Sequence, residues 1–404
     1  MKCRLGDLAR VSSSKRIYAK EYTTSGIPFY RGKEIIELGS GHLVSNKLFI
    51  SKDRFNQIRS KYDDVPEKDD VLITAVGTIG ETYLVKSRDL PFYFKDGNLI
   101  KLSKWNRQIV LPEYMYYWLN SYTGKMAIKK ITIGSTQQAI TIRELSDIEL
   151  DLPPIREQGK IAQRLSTLDF SIDNNKHINA NLYEQIKTIS NSHFSYFDFS
   201  DGHIPSNWHY TSLSDVAEIT TGYSYTSREL HSSKTAMATI KNFERTGGFS
   251  DKGYKEIIPQ KKLKDSKMAR KFDILVAHTD LTQNADIIGN AEIILDTSIY
   301  SQLIYSMDLV RVRTKATNVS QFLLSLILQG DRLKKHCLGY VNGTTVLHLS
   351  KKALKEFYIP LPNDLHELDH ISKFAKAAYM NIAINIQENS MLQEAKQTLL
   401  RKFF

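Results

Sequence analysis

The chain has 404 residues, 41% of them hydrophobic and 25% charged, which is too long for one ordinary core, suits two domains of about 150–200 residues each, and argues against a disordered polymer. Lys and Arg total 55 against 44 Asp and Glu, a formal net charge of +11, which suits a polyanionic partner, nucleic acid being the commonest, the alternative being a basic surface that only keeps the protein soluble. Cys3 and Cys337 form neither a zinc-ribbon spacing nor a disulfide framework, and with no signal-like start and no run of about 18 apolar residues the expected location is the cytoplasm, without a membrane partner.

Taken from the N-terminus, the chain soon repeats itself. Leu5-Gly6-Asp7-Leu8-Ala9 returns as Leu213-Ser214-Asp215-Val216-Ala217, and Lys68-Asp69-Asp70-Val71-Leu72-Ile73 as Lys271-Phe272-Asp273-Ile274-Leu275-Val276. The β-branched run at 71–76 ends at Gly77 and predicts a strand and a turn; Ile293-Ile294-Leu295 before Asp296 predicts another. Pro112 ahead of Tyr114-Met115-Tyr116-Tyr117-Trp118-Leu119 predicts a helix start, and residues 322–328 supply the matching helix in the second half. Gly134-Ser135-Thr136 aligns with Gly343-Thr344-Thr345, 209 residues on, and the register holds through Leu145 and Leu354, Ile148 and Phe357, and Leu152-Pro153 and Leu361-Pro362. A period near half the length means a duplicated architecture, and each copy reads as a mixed α+β globule.

Beyond Pro154 the periodicity changes. Ile161, Leu165, Leu168, Ile172, Asn175, Asn179, Leu182, Ile186 and Ile189 alternate steps of four and three, the seam of a coiled coil. Ile371, Ala375, Ala378, Ile382, Asn385, Asn389, Leu392, Lys396 and Leu399 repeat it 210 residues later. A polar residue in an apolar seam lowers stability and is best tolerated where it fixes register against another polar group. Antiparallel pairing would set Asn175 beside Asn389 and Asn179 beside Asn385. Such a seam is about 40 Å long at 1.5 Å per residue, close to one DNA turn of roughly 34–36 Å. The competing expectation is that each helix only covers its own domain. Residues 197–207 are rich in Gly, Pro, Ser and Asx and read as a link, after which Trp208 anchors the second half by packing.

Catalytic constellations are not evident. Asp151-Leu152-Pro153-Pro154 departs from the Asp/Asn-Pro-Pro-aromatic loop of amino-methyltransferases, because Leu152 displaces the prolines and no aromatic follows to stack on a flipped base. Val76-Gly77-Thr78-Ile79-Gly80 lacks the Gly-Lys-Ser/Thr ending of a phosphate loop. The eleven histidines show no paired metal-ligand spacing, and Asp63, Asp64 and Glu67 lack a nuclease pattern, so neither a catalytic nor a metal residue is assigned.

The duplicated domain closing on Gly-Ser/Thr-Thr, Leu-Pro and a long helix resembles the specificity subunits of type I restriction-modification enzymes. The residues that carry the resemblance are Asp70-Val71-Leu72-Ile73 with Gly77 and Gly80, Asp96-Gly97-Asn98, Leu152-Pro153-Pro154-Ile155-Arg156-Glu157-Gln158 and Ile204-Pro205-Ser206-Asn207-Trp208. In the second half Asn363-Asp364-Leu365-His366-Glu367-Leu368 replaces the Pro-Pro-hydrophobic-x-Glu-Gln element. The resemblance implies an α+β fold of two tandem pseudo-symmetric target-recognition domains separated by two long helices forming an antiparallel coiled coil. The expected bounds are 1–154 for the first domain, 155–196 for the first helix, 197–207 for the linker, 208–363 for the second domain and 364–404 for the second helix. It further implies that each domain reads one half of a split double-stranded DNA site, and that the helices set the gap and dock two methyltransferase subunits. Restriction and translocase subunits would complete the assembly. S-adenosylmethionine, ATP and Mg would belong to the partners, leaving this chain without catalysis or cofactor of its own. The alternatives are the specificity chain of a type II nuclease-methyltransferase fusion, a diverged methyltransferase or nuclease, and a scaffold that uses only its coiled coil.

For DNA, Lys and Arg should meet phosphates while Arg, Gln, Asn, Ser and Thr read base edges. Polar stretches between the predicted strands nominate Arg16, Arg31, Lys33, Lys129, Lys130, Gln137 and Gln138 in the first domain. In the second they nominate Lys241, Arg245, Lys261, Lys262, Thr282, Gln283, Asn284 and Asn342. Ser135-Thr136 and Thr344-Thr345 could equally turn the chain before the last strand.

Overall fold

The apolar run after Asp70 forms the strand Val71–Thr74, every residue of it buried, as expected of a strand covered on both faces. Its counterpart after Asp273 is Ile274–Ala277, again wholly buried. The structure is a computed structural model that describes the chain except residues 42–43, 45–47, 63, 135–137, 245–246, 283, 298, 316–318 and 344–345. It divides into two units, Met1–Asp173 with Met391–Phe404, and Asn174–Ser390.

In the first unit Val71–Thr74 lies inside an antiparallel sheet ordered Arg10–Ser12, Leu99–Ser103, Val71–Thr74, Thr82–Leu84. A second sheet contains a parallel pair, Ile27–Tyr30 with Tyr93–Phe94. A short pair joins Lys2–Arg4 to Glu149–Asp151, which explains why the chain start and the Leu-Pro element recur together. The helix Pro112–Asn120 begins with proline in its first turn, where a missing N–H costs nothing, and packs Tyr114, Met115 and Trp118 into the main core.

The long helix Ile155–Ser190 starts in this unit, anchored by the wholly buried Gln158. Its carboxamide accepts from Leu111 N at 3.0 Å and donates to Ile109 O at 2.8 Å and Pro153 O at 2.9 Å. Leu165 packs with Tyr117 and Leu400, so the helix both covers its domain and pairs with the end of the second long helix, Asp369–Phe403. Below that layer Lys396 Nζ meets Asp169 Oδ1 at 2.6 Å, and Tyr117 donates to Asp169 Oδ2 at 2.8 Å. Lys396, a polar residue at an expected seam position, is thereby paired.

The second unit repeats the main sheet as Ala217–Thr221, Leu309–Thr314, Ile274–Ala277, Ala291–Ile293. Its second sheet again holds one parallel pair, Thr235–Ala238 with Gln302–Tyr305. Trp208–Ser212 pairs with Tyr358–Pro362. Trp208 packs among Phe194, Phe197 and Phe199 in tilted and edge-on arrangements, with ring centroids 5.6–6.4 Å apart. The helix Gln321–Leu328 buries six consecutive residues, Leu323 to Leu328.

Here too each long helix has two tasks. Ile371, Ala375, Ala378 and Ile382 share one core with Leu324, Ile359 and Ile186. Asn175 Nδ2 donates to Asn389 Oδ1 at 3.1 Å and to Glu388 Oε2 at 3.0 Å, while Asn385 Nδ2 donates to Asn179 Oδ1 at 2.7 Å. These contacts make the helices antiparallel within this unit. The second helix begins differently from the first: a 3₁₀ turn, Leu365–Leu368, capped by Asp364, precedes it. Buried Leu368 stands where the repeat would place a second Gln158.

Candidate nucleic-acid interface

In the first unit the strand Val71–Thr74 runs into the turn at 75–80, where Gly77 and Gly80 adopt φ of +79° and +80°, a region that favours glycine. At Gly80 an added Cβ would also crowd Ile128 at 3.1 Å. Ile140 N donates to Ala75 O at 3.0 Å, and Ala139 bridges both Val76 and Ile133. Ile133, Ala139 and Ile140 are thereby held against the glycine turn. Lys129 and Lys130, exposed in the last turn of helix Tyr122–Lys130, and exposed Gln138 flank this junction. Lys125 secures it from below, with Nζ 2.6 Å from Gly80 O. Gln137, Ser135 and Thr136 lie outside the described residues.

Arg16, Arg31 and Lys33 lie around a neighbouring edge and are ion-paired. Arg31 precedes helix Gly32–Gly39 and grips Glu34, Nη2 to Oε1 at 2.7 Å and Nε to Oε2 at 3.2 Å. Burial pushes the Glu34 carboxyl up, but hydrogen bonds from the Arg31 side chain and backbone outweigh it and hold the group below the ordinary carboxylate range. Lys33 sits 3.6 Å from Glu37, and Arg16 Nε 2.9 Å from Asp96 Oδ2. Lys95 N donates to Tyr30 O at 2.9 Å, which puts the Asp96 and Arg31 pairs on one edge.

The second unit builds the equivalent junction more fully. Thr279–Asp280, Leu347–Leu349 and Val341–Asn342 form a three-stranded sheet in which His348 lies opposite both Thr279 and Asn342. Buried Asp280 accepts from Thr282 N, Thr282 Oγ1 and Ile287 N, each at 2.8 Å. Burial raises its carboxyl, and these donors, with Ile288 N, more than reverse the effect. Asp280 therefore shapes the turn that presents exposed Asn284, and Asn342 is exposed on the opposite edge strand of the sheet. Thr282 and Asn284 follow one edge strand of this sheet and Asn342 lies on the other, with Leu347–Leu349 between them, and the Thr282 hydroxyl is committed to the turn itself.

Three other nominated lysines are elsewhere. Exposed Lys241 follows the strand Thr235–Ala238, whereas exposed Lys261 and Lys262 follow its antiparallel neighbour Lys255–Glu256. They stand at opposite ends of that pair. Glu229 anchors the 260–262 side: backbone hydrogen bonding from Gln260, then the Tyr223 hydroxyl, pull its carboxyl down to about 2. Arg245 and Gln283 lie outside the described residues, as do Thr344 and Thr345.

Sequence reasoning missed Lys267, Lys351 and Lys355, which line one cleft with His278. The repeat carries a signal: 209 residues before Lys351 and Lys355 stand Ile142 and Ser146, so the two copies differ in charge there. Among the described residues no group of three or more His, Cys, Asp or Glu could hold a metal ion, and no helix is long and apolar enough to cross a membrane.

These paired, internally repeated α+β units define a tandem-domain protein whose long helices run through both units. The fold is shared with the crystal structure of the S subunit of a type I restriction-modification system from M. genitalium, with a TM-score of 0.57 at 17% identity over 100% of this chain and 96% of that one. The sequence model described as the type I restriction modification DNA specificity domain matches residues 1–184 and 205–394, and the chain belongs to this family, with two such domains in tandem. It is 22% identical over 396 residues to the MjaIX type I restriction enzyme specificity subunit of Methanocaldococcus jannaschii, covering 95% of this chain and 87% of that one. A Haemophilus influenzae protein assigned as a type I restriction enzyme specificity subunit is 31% identical over 166 residues, 41% of this chain and 39% of that relative's length. The relatives are type I proteins and favour that reading over a type II fusion.

Proposed function

We propose that the chain is the DNA-reading component of a type I restriction-modification assembly, in which each domain recognises one half of a bipartite duplex site. The observation that carries the reading is the repeated junction at the end of the central strand. A turn held by β-bridging recurs in both units, through isolated bridges at Ala139 in the first and the strand Leu347–Leu349 in the second, with exposed Gln138 on one copy and Asn284 and Asn342 on the other. Side-chain amides pair bidentately with adenine and accept or donate at other base edges. Lys129 and Lys130 in the first domain and Lys241, Lys261 and Lys262 in the second supply phosphate contacts. The ion-paired Arg16, Arg31 and Lys33 orient the edge that faces the duplex.

The long helices set the separation of the half-sites and dock two methyltransferase subunits, with Asn175, Asn179, Asn385 and Asn389 as the register layer. Methyl transfer with S-adenosylmethionine, and ATP- and Mg-dependent cleavage and translocation by restriction subunits, belong to the partners; this chain acts in the cytoplasm without catalysis of its own. Selection from randomised duplexes, using the chain assembled with its methyltransferase, tests the reading. Two short motifs separated by a fixed spacer are expected, with affinity falling steeply as salt rises. One continuous motif, or none, would overturn it, as would methyl transfer or DNA cleavage by the chain alone.

A further inference from the structure

The second unit contains a cleft of about 330 Å³, at the lower end of ligand-sized pockets and roomier than one ion requires. Its basic side chains are Lys267, Lys351 and Lys355, and none of its lining residues is a carboxylate. Ile219, Val310 and Leu354 form an apolar floor, and Ser266 and Ser350 add hydroxyls at the wall. Lys267 Nζ is already turned inward, donating to Thr221 O at 2.7 Å. Burial, then the nearby charge of Lys264, makes its cation harder to hold, so an anion in the cleft would relieve it. His278 responds to the same surroundings: burial, then His348 and Lys351, press its imidazole toward the neutral form.

Three cations over an apolar floor with hydroxyl donors match a phosphate attached to a sugar. A bare inorganic anion would leave the floor unused. The cleft also adjoins the candidate recognition sheet, because Leu349 N donates to His278 O at 2.8 Å and His348 pairs with Asn342. We infer that this cleft binds a phosphate group, and that its occupant is a phosphodiester of the DNA backbone with its deoxyribose resting on Ile219, Val310 and Leu354. The backbone assignment rests on the DNA reading above, whereas the phosphate site does not. The first domain has no such anchor at the matching positions, where Ile142 and Ser146 replace the lysines.

Two measurements on the full chain test this. In the first, Lys351→Ala with Lys355→Ala is compared with wild type on the selected duplex across a salt series. The slope of log affinity against log salt should become shallower by about 2, affinity at low salt should fall by roughly 10- to 100-fold, and the selected bases should stay the same. In the second, the ring resonances of labelled His278 are followed during titration with inorganic phosphate and, separately, with duplex; both should shift them and raise the imidazole pKa.

An unchanged slope in a variant that melts like wild type overturns the backbone contact. Unmoved His278 signals with both ligands overturn the phosphate site. A response to phosphate alone, in a chain that does bind duplex, reassigns the cleft to a free phosphate compound and overturns the backbone assignment. If wild type binds no duplex while phosphate still moves His278, the DNA reading and the backbone contact fall and the phosphate site stands.

Discussion

The two domains share a four-stranded scaffold but neutralise its interior differently. Lys101 and Arg311 occupy the same place, opposite Leu72 and Leu275 on the central strand, and are 3% and 1% exposed. Lys101 faces carboxylates, 3.6 Å from Asp70 and 3.9 Å from Asp64, and donates to Val65 O at 3.0 Å. Arg311 is held mainly by the backbone carbonyls of Asp265 and Met268, with Glu218 at 3.3 Å. Asp70 and Asp273 both accept a backbone N–H three residues back, from Glu67 and Arg270. Only Asp273 gains a bidentate arginine, Arg313; Asp70 is pushed up to about 6 by burial. The difference teaches that a buried cation at this position belongs to the scaffold, while its partners are replaceable.

The largest expected effect follows from that contrast. Lys101→Met strands buried carboxylates and should cost about 3–5 kcal/mol, with the loss greater at pH 8 than at pH 5, where Asp70 can protonate. Arg311→Met mainly orphans carbonyls and should cost about 1–3 kcal/mol. Denaturant unfolding of both variants checks the order, and equal, pH-independent losses would break the comparison.

The next effect concerns Glu292, which lies opposite Leu275 where the first domain has Tyr83 opposite Leu72. Burial raises the Glu292 carboxyl from 4.5 to about 7, against the hydrogen bonds from Gly248 N and Gln329. An acid whose folded pKa is raised keeps its proton in the folded state between those values. Stability therefore declines as pH rises from 4.5 to 7, and the full cost is present above 7. Glu292→Gln should remove this decline and gain on the order of 2 kcal/mol at pH 8, with little change at pH 4; thermal melts across pH read it. Smaller again, Asn175→Ala deprives Asn389 of its partner and should cost about 1–2 kcal/mol, while Asn385→Ala should do the same to Asn179. Free energies from matched melts decide whether the two layers are equivalent.

Much of this architecture was legible because periodicity is a property of composition along the chain. The repeat, the seam and its asparagines can be read from spacing alone, and Pro112 marks a helix start by its missing N–H. The ion pairs were less visible. The polar stretch around Arg31 nominates it for DNA, yet its capping partner Glu34, three residues on, is the local sign that part of its charge is committed. Thr282 likewise donates to Asp280, a bond that depends on how the 280–288 turn closes. Lys267 and Lys351 are far apart in sequence and meet only because the segments flanking two different sheets, before Met268–Ala269 and after Leu347–Leu349, come to one cleft. The separation of Lys241 from Lys261 and Lys262 depends on strand direction, which residue type does not encode.

In the proposed function the two domains read independently, one half-site each. The most direct measurement is duplex selection by the methyltransferase-bound chain carrying Asn284→Ala and Asn342→Ala. Loss of base preference in one half of the motif is expected, with the other half and the spacer length unchanged. Relaxation of both halves together, or a selected sequence identical to wild type, would contradict the account.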